Sequence, residues 1–142
     1  MAIVVKKQTQ SPLKSTNELY ADFTSDFDIH PVKNDVVRVT NDEAVKQSIK
    51  NILATNRGER FFNSDFGSDV RSLLFENMHS ATGQVLEDIV RSAVENYEPR
   101  ATVEDVIVSA DPDEQYISIT LVFSIINKQE PIELDLILNR VR

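Results

Sequence analysis

The last third of the chain alternates apolar and polar side chains with a period of two. Ile117, Ile119, Leu121, Phe123 and Ile125 alternate with Ser118, Thr120, Val122 and Ser124, and Ile132, Leu134, Leu136 and Leu138 alternate with Glu133, Asp135 and Asn139. Successive strand side chains point to opposite faces, so this pattern predicts strands with one face in a core. Residues 103–109 predict a third strand before them. Asp111-Pro112-Asp113-Glu114 and Asn127-Lys128-Gln129-Glu130 carry turn chemistry, and turns this short join neighbouring strands in an antiparallel meander.

Upstream the period is helical. Over residues 41–55, Val45, Ile49, Ile52 and Leu53 recur on one face, with Thr40 and Glu43 spaced as a capping box and Asp42 and Glu43 at the positive end of the dipole. Residues 81–96 predict a second long helix with Val85, Leu86, Ile89, Val90, Ala93 and Val94 as its apolar stripe. On its polar face Glu87 and Arg91 stand one turn apart in the favoured order. Residues 69–75 read as a short helix carrying Val70, Leu73, Leu74 and Phe75. Pro99 ends the second long helix because it lacks the N–H that the helical ladder needs, and it drives Glu98 toward extended geometry. The predicted fold class is α+β: a C-terminal antiparallel β-meander packed against two main α-helices, with short N-terminal strands.

The remaining segments are less regular. Residues 1–18 are expected to form an arm outside the fold, and residues 19–142 a single domain. Tyr20, Phe23 and Phe27 supply aromatic bulk among Asp22, Ser25, Asp26 and Asp28. Lys33-Asn34-Asp35 followed by Val36-Val37-Arg38-Val39 predicts a small hairpin or edge pair. Between the helices, residues 55–68 hold Gly58, Gly67, Phe61, Phe62 and Phe66, which predicts a loop of defined shape anchored by aromatic burial. Arg57, Glu59 and Arg60 are its candidate contact residues. The final strand, with Ile132, Leu134, Leu136 and Leu138 on one face, is a candidate sheet edge that accepts a strand from a partner.

Composition narrows the chemistry. A chain of 142 residues is the size of one domain, and its net charge of −8 argues against nucleic-acid binding, which needs Lys and Arg against phosphates. There is no cysteine, and the two histidines, His30 and His79, lie far apart, so neither a disulfide framework nor a His/Cys metal site is expected. No cofactor motif is present, and no apolar run reaches the length of a membrane span or a signal peptide, which predicts a protein made in a cytoplasm. Carboxylate pairs such as Glu59 with Asp65, or Glu98 with Asp105, have no tryptophan beside them for sugar stacking. A non-enzymatic protein is the expectation.

Several ordered motifs carry a resemblance. The run Asn41-Asp42-Glu43-Ala44-Val45-Lys46-Gln47-Ser48-Ile49-Lys50-Asn51-Ile52-Leu53, then Gly58-Glu59-Arg60, Phe66-Gly67 and Tyr97-Glu98-Pro99-Arg100 ahead of the meander, resembles the baseplate-wedge sheath-initiator family of contractile phage tails. Its bacterial counterpart is the TssE-type baseplate subunit of type VI secretion. The resemblance spans residues 20–142. It implies a structural protein of the virion tail baseplate, assembled in the host cytoplasm, which binds the wedge core-bundle proteins through Glu98, Pro99 and Arg100. It also implies that the sheet templates the first ring of tail sheath protein by strand exchange, with tail tube or hub proteins as further neighbours. Some family members carry a lysozyme-like label, so a peptidoglycan-degrading enzyme and a type VI secretion subunit stand as alternatives. One departure concerns the loop: relatives commonly have a proline before Phe-Gly, whereas Asn63-Ser64-Asp65 stands here.

Overall fold

A computed structural model describes residues 18–74, 80–110, 116–126 and 128–139. In chain order the elements are β1 (Ala21–Phe23), β2 (Arg38–Thr40), α1 (Asp42–Ala54), α2 (Val70–Leu73), α3 (Ser80–Tyr97), β3 (Ala101–Ala110), β4 (Tyr116–Ile125) and β5 (Lys128–Asn139). The first two strands pair antiparallel as a small sheet, and β3-β4-β5 form the antiparallel meander. This is the α+β architecture that the change of period predicts. Phe75, His79, the Asp111-Pro112-Asp113-Glu114 turn, the N-terminal arm up to residue 17 and the terminal Arg140-Val141-Arg142 lie outside the described residues.

The meander owes its register to its apolar face. Val103, Phe123 and Ile132 form one cross-strand row, Val106, Leu121 and Leu134 the next, and Val108, Ile119 and Leu136 a third. A slip of one residue would turn every one of these side chains to solvent, which specifies the pairing strongly. All five alternate positions of β4 from Ile117 to Ile125 are buried. Against them pack Val45, Ile49, Ile52 and Leu53 of α1 and Leu86, Val90, Ala93 and Val94 of α3. Each of these Val, Leu and Ile side chains contributes roughly 1.5–3 kcal/mol when fully buried.

Several local expectations are corrected. Asn41, not Thr40, precedes α1, at φ 50° and without a side-chain cap bond, so the Thr40/Glu43 capping box does not form. The Asn41 Oδ1 instead accepts the Leu19 N–H at 2.9 Å, fastening the chain entering β1, while Glu43 pairs with Lys46 at 3.5 Å. Glu87 does not pair with Arg91; its carboxylate accepts the Val108 N–H of β3 at 3.4 Å. Val85 stands half exposed at the rim of the α3 stripe. Of the turn expected over 127–130, Asn127 lies outside the described residues, and Lys128, Gln129 and Glu130 already belong to β5, with the Lys128 ammonium reaching Asp42 of α1 at 2.6 Å. In the N-terminal hairpin only Tyr20 packs against the core, whereas Phe23 and Phe27 are exposed.

Candidate functional site: the helix-to-strand joint, its loop and the open sheet edge

Helix α3 ends where the Pro99 geometry requires it. Its last bond runs from the Glu98 N–H to Val94 O, and Ala101 N–H then turns back to Glu98 O. Ile126 N–H donates to Arg100 O, tying the joint to the end of β4. Glu98 does not face solvent: it is 2% exposed. Its two carboxylate oxygens accept from Arg100 Nε at 2.6 Å and Nη2 at 2.7 Å, the bidentate fork that suits guanidinium and carboxylate. Burial pushes the Glu98 carboxyl upward, but the Arg100 and Ser48 hydrogen bonds and the Arg100 charge outweigh it and hold it below the usual carboxylate range. The Glu98 hydrogen bond in turn raises Arg100.

Arg100 also lies 5.3 Å from the centre of the Tyr20 ring. Through Ser48 the joint reaches α1, and through Tyr20 it reaches the entry to β1. Of Glu98, Pro99 and Arg100, Arg100 is partly exposed and Pro99 exposed, while Glu98 is buried and anchors Arg100.

The loop between Thr55 and Ser68 abuts the joint. Tyr97, the residue before Glu98, stacks at a tilt on Phe66 with centroids 5.1 Å apart, and its hydroxyl donates to Asp65 O. Arg60 lies 3.9 Å over the same Phe66 ring. Arg57 pairs with Asp69 at 3.2 Å, and the Glu59 carboxylate accepts the Asn56 N–H at 2.9 Å. Gly58 adopts φ 81° and donates to Ser64 O at 2.7 Å. Gly67, at φ 118°, runs so close to the preceding chain that a Cβ would sit 2.4 Å from Thr55 O. Ser68 Oγ, buried, donates to Leu53 O at 2.9 Å. Backbone and side-chain bonds therefore shape the loop where the common proline is missing. Aromatic burial does so only through Phe66, because Phe61 and Phe62 are 100% and 105% exposed. Sequence reasoning placed all three phenylalanines inside; nothing in their local pattern separates them, and only the Tyr97 contact selects Phe66.

The third candidate surface is the outer strand β5. Ile132 and Leu134 are buried, and Leu136 and Leu138 pack against the core, so these side chains hold the strand in place, while Glu133, Asp135 and Ile137 line its exposed face. Both outer strands are irregular, β5 shifting register against β4 between Phe123 and Ile125, but the two edges differ in what occupies their N–H groups. On β3 a bulge falls between Val103 and Asp105, and carboxylates of Asp105 and Glu87 occupy the Val106 and Val108 N–H groups. Bulges and charged side chains blunt an edge. Among the described residues no backbone group of β5 bonds anything outside its sheet.

These features have relatives. The family model for "Baseplate wedge protein gp25" matches residues 39–130, more than half of the chain. The chain belongs to this baseplate wedge family. It is 33% identical over 123 residues to the baseplate wedge protein gp25 of Enterobacteria phage T4, covering 85% of this chain and 91% of that one. Among solved structures, a Geobacter sulfurreducens protein whose name carries the words "tail lysozyme" superposes with a TM-score of 0.65 at 26% identity, covering 70% of this chain and 91% of its own. A chain of the anti-feeding prophage baseplate superposes with a TM-score of 0.61 at 20% identity, covering 87% of each. The family consists of baseplate wedge proteins of contractile tail systems, and the gp25 family model spans the loop, the joint and the start of β5 described above. Among the described residues no cluster of His, Asp or Glu could hold a metal ion, and no helix is long and apolar enough to cross a membrane.

Proposed function

We propose that this wedge protein is a non-enzymatic connector that docks on the wedge core-bundle proteins and initiates sheath polymerisation by strand exchange. Pro99 and the partly exposed Arg100, oriented by Glu98, form the docking tip, and the loop bearing Arg57, Glu59, Arg60, Phe61 and Phe62 extends that surface through Tyr97. The two phenylalanines are what such a loop would insert into a partner, since exposed aromatics on a fixed base become anchors when buried. On the other side, β5 accepts a strand from the tail sheath protein.

The observation that carries this reading is a difference between the two sheet edges: the Val106 and Val108 N–H groups of β3 are occupied by the Asp105 and Glu87 carboxylates, whereas β5, past its register shift and Pro131, has no described backbone group bonded outside its sheet. Strand addition needs such an edge and gains its affinity from main-chain hydrogen bonds. Tail tube or hub proteins are further neighbours in this reading. It is tested by co-expressing the chain with wedge core-bundle and sheath proteins and following hydrogen exchange in the purified complex. Slowed exchange at β5 amides, with β3 edge amides unchanged, is the expected result. A sheath complex that leaves β5 exchange as fast as in the free chain sinks the strand-exchange reading.

A further inference from the structure

The N-terminal hairpin, residues 18–40, is attached to the domain the opposite way round from an ordinary surface element. Apart from Tyr20, which packs against the core, its inner contacts are polar: Gln47 Nε2 of α1 donates to Phe23 O at 2.5 Å, Gln47 Oε1 accepts Ser25 N–H at 3.3 Å, and Ser25 Oγ lies 3.3 Å from Asn51 Oδ1. Its outer surface carries the apolar groups, Phe23, Phe27, Ile29 and Val32, the last three 68%, 70% and 84% exposed. The tip is nevertheless well defined. His30 N–H donates to Asp35 O at 2.7 Å, and the His30 Nδ1 accepts the Val32 and Lys33 N–H groups at 3.2 and 3.3 Å. An ordered element that spends its polar groups inward and leaves large apolar side chains outward is built to be covered.

The charge around those side chains says by what. Asp22, Asp26, Asp28 and Asp35 are all exposed, and the Asp26 and Asp28 carboxylates have neither a hydrogen bond nor an ion pair among the described residues. Arg38, one of the hairpin's two full cations, is already paired with Glu18 at 2.5 Å, which leaves Lys33. Phe23 and Phe27 share the wall of a depression of about 380 Å³ with Asp22 and Thr24, and the Thr24 Oγ1 is buried without a hydrogen-bond partner. Most of this element lies before residue 39, where the family model's match begins.

We infer that the hairpin is a separate docking module for another baseplate protein that presents a basic, apolar surface, with Phe27, Ile29 and Val32 as anchors and Asp26 and Asp28 as its ionic partners. Complementary charge at such a rim sets partner choice and speeds encounter, and the apolar anchors hold the complex. The module goes beyond the wedge and sheath reading and does not need either surface of it.

The test uses assembled tail baseplates carrying the full chain with a photoreactive phenylalanine analogue at position 27 or, separately, 32. After irradiation and digestion, the cross-linked peptides are sequenced. The expected product joins the hairpin to a Lys- or Arg-containing peptide of a different baseplate protein. The double variant Asp26→Lys, Asp28→Lys lowers its yield by about tenfold, the equivalent of losing one effective charge pair, with an unchanged thermal midpoint. Cross-links to residues 1–17 of the same chain, to a second copy, or to nothing overturn the inference, as does a yield indifferent to the charge reversal. Loss of hairpin cross-links while β5 stays protected from exchange refutes this module alone. The converse refutes strand exchange alone.

Discussion

Glu98 and Arg100 meet in two parallel hydrogen bonds of 2.6 and 2.7 Å across a single intervening proline. The carboxylate is sealed in the core, the guanidinium reaches outward over Tyr20, and Pro99 stands between them in solvent. This pair is therefore a structural clamp, and removing either partner acts on folding stability.

Arg100→Ala leaves a buried carboxylate without its counter-charge. The expected loss of folding stability is about 3 kcal/mol, the low end for breaking a buried pair because Arg100 is partly exposed. Urea unfolding measures it. A loss below about 0.5 kcal/mol would mean that the Ser48 hydrogen bond alone satisfies Glu98.

Acid should reveal the same clamp. The folded-state pKa of Glu98 lies below its ordinary value, so the unfolded chain binds the proton more readily and stability rises with pH between the two. The contribution is complete above the ordinary glutamate range and disappears as pH falls through the lowered folded value. Unfolding curves of the wild type and Glu98→Gln across that window should show a smaller pH slope for the variant; parallel slopes would remove Glu98 from the account.

The exposed loop phenylalanines predict a separation of folding from assembly. Phe61→Ser with Phe62→Ser should leave the thermal midpoint of the free protein within the narrow range of ordinary surface substitutions, since the side chains touch nothing. Incorporation into baseplates should drop sharply, measured by quantifying the chain in purified tails. Unimpaired incorporation would make the pair bystanders.

Two glycines should respond with opposite signs. Gly67→Ala places a Cβ against Thr55 O at a positive φ, and a loss of about 2 kcal/mol or more is expected. Gly83→Ala, inside α3 with open space around it, should gain up to about 1 kcal/mol. Differential scanning calorimetry of both variants gives the comparison.

Peptidoglycan turnover provides the remaining check. The Glu98 carboxylate is sealed by Arg100, and that of Glu59 is bonded to the Asn56 backbone, so neither is placed as a free acid over a cleft. Purified protein at high concentration should release no soluble fragments from cell-wall suspensions; release that disappears in Glu59→Gln would establish the enzyme reading instead.

What the chain's pattern revealed depended on whether a signal was periodic. The β4 alternation put Ile117, Ile119, Leu121, Phe123 and Ile125 on the core face, and all five are buried there, because a period of two leaves a strand no second choice. Aromatic residues in loops carry no period. Phe61, Phe62 and Phe66 have similar neighbours, yet only Phe66 meets Tyr97, a partner 31 positions away in sequence that no local rule could supply. The same holds for Phe23 and Phe27, whose exposure follows from the way Gln47 and Asn51 hold the hairpin. Glu98-Pro99-Arg100 was legible as a stiff joint from the proline, but which charge points inward was decided by Ser48 and Tyr20 from elsewhere in the chain.

Under the proposed strand exchange, the contrast between the β3 and β5 edges would give the sheet a polarity of growth. With the β3 flank plugged by its own carboxylates, a segment added by strand exchange would join on a single side, in a register dictated by β5. On the proposed strand-exchange reading, the next layer would then be added in one direction, as on a template with one free end.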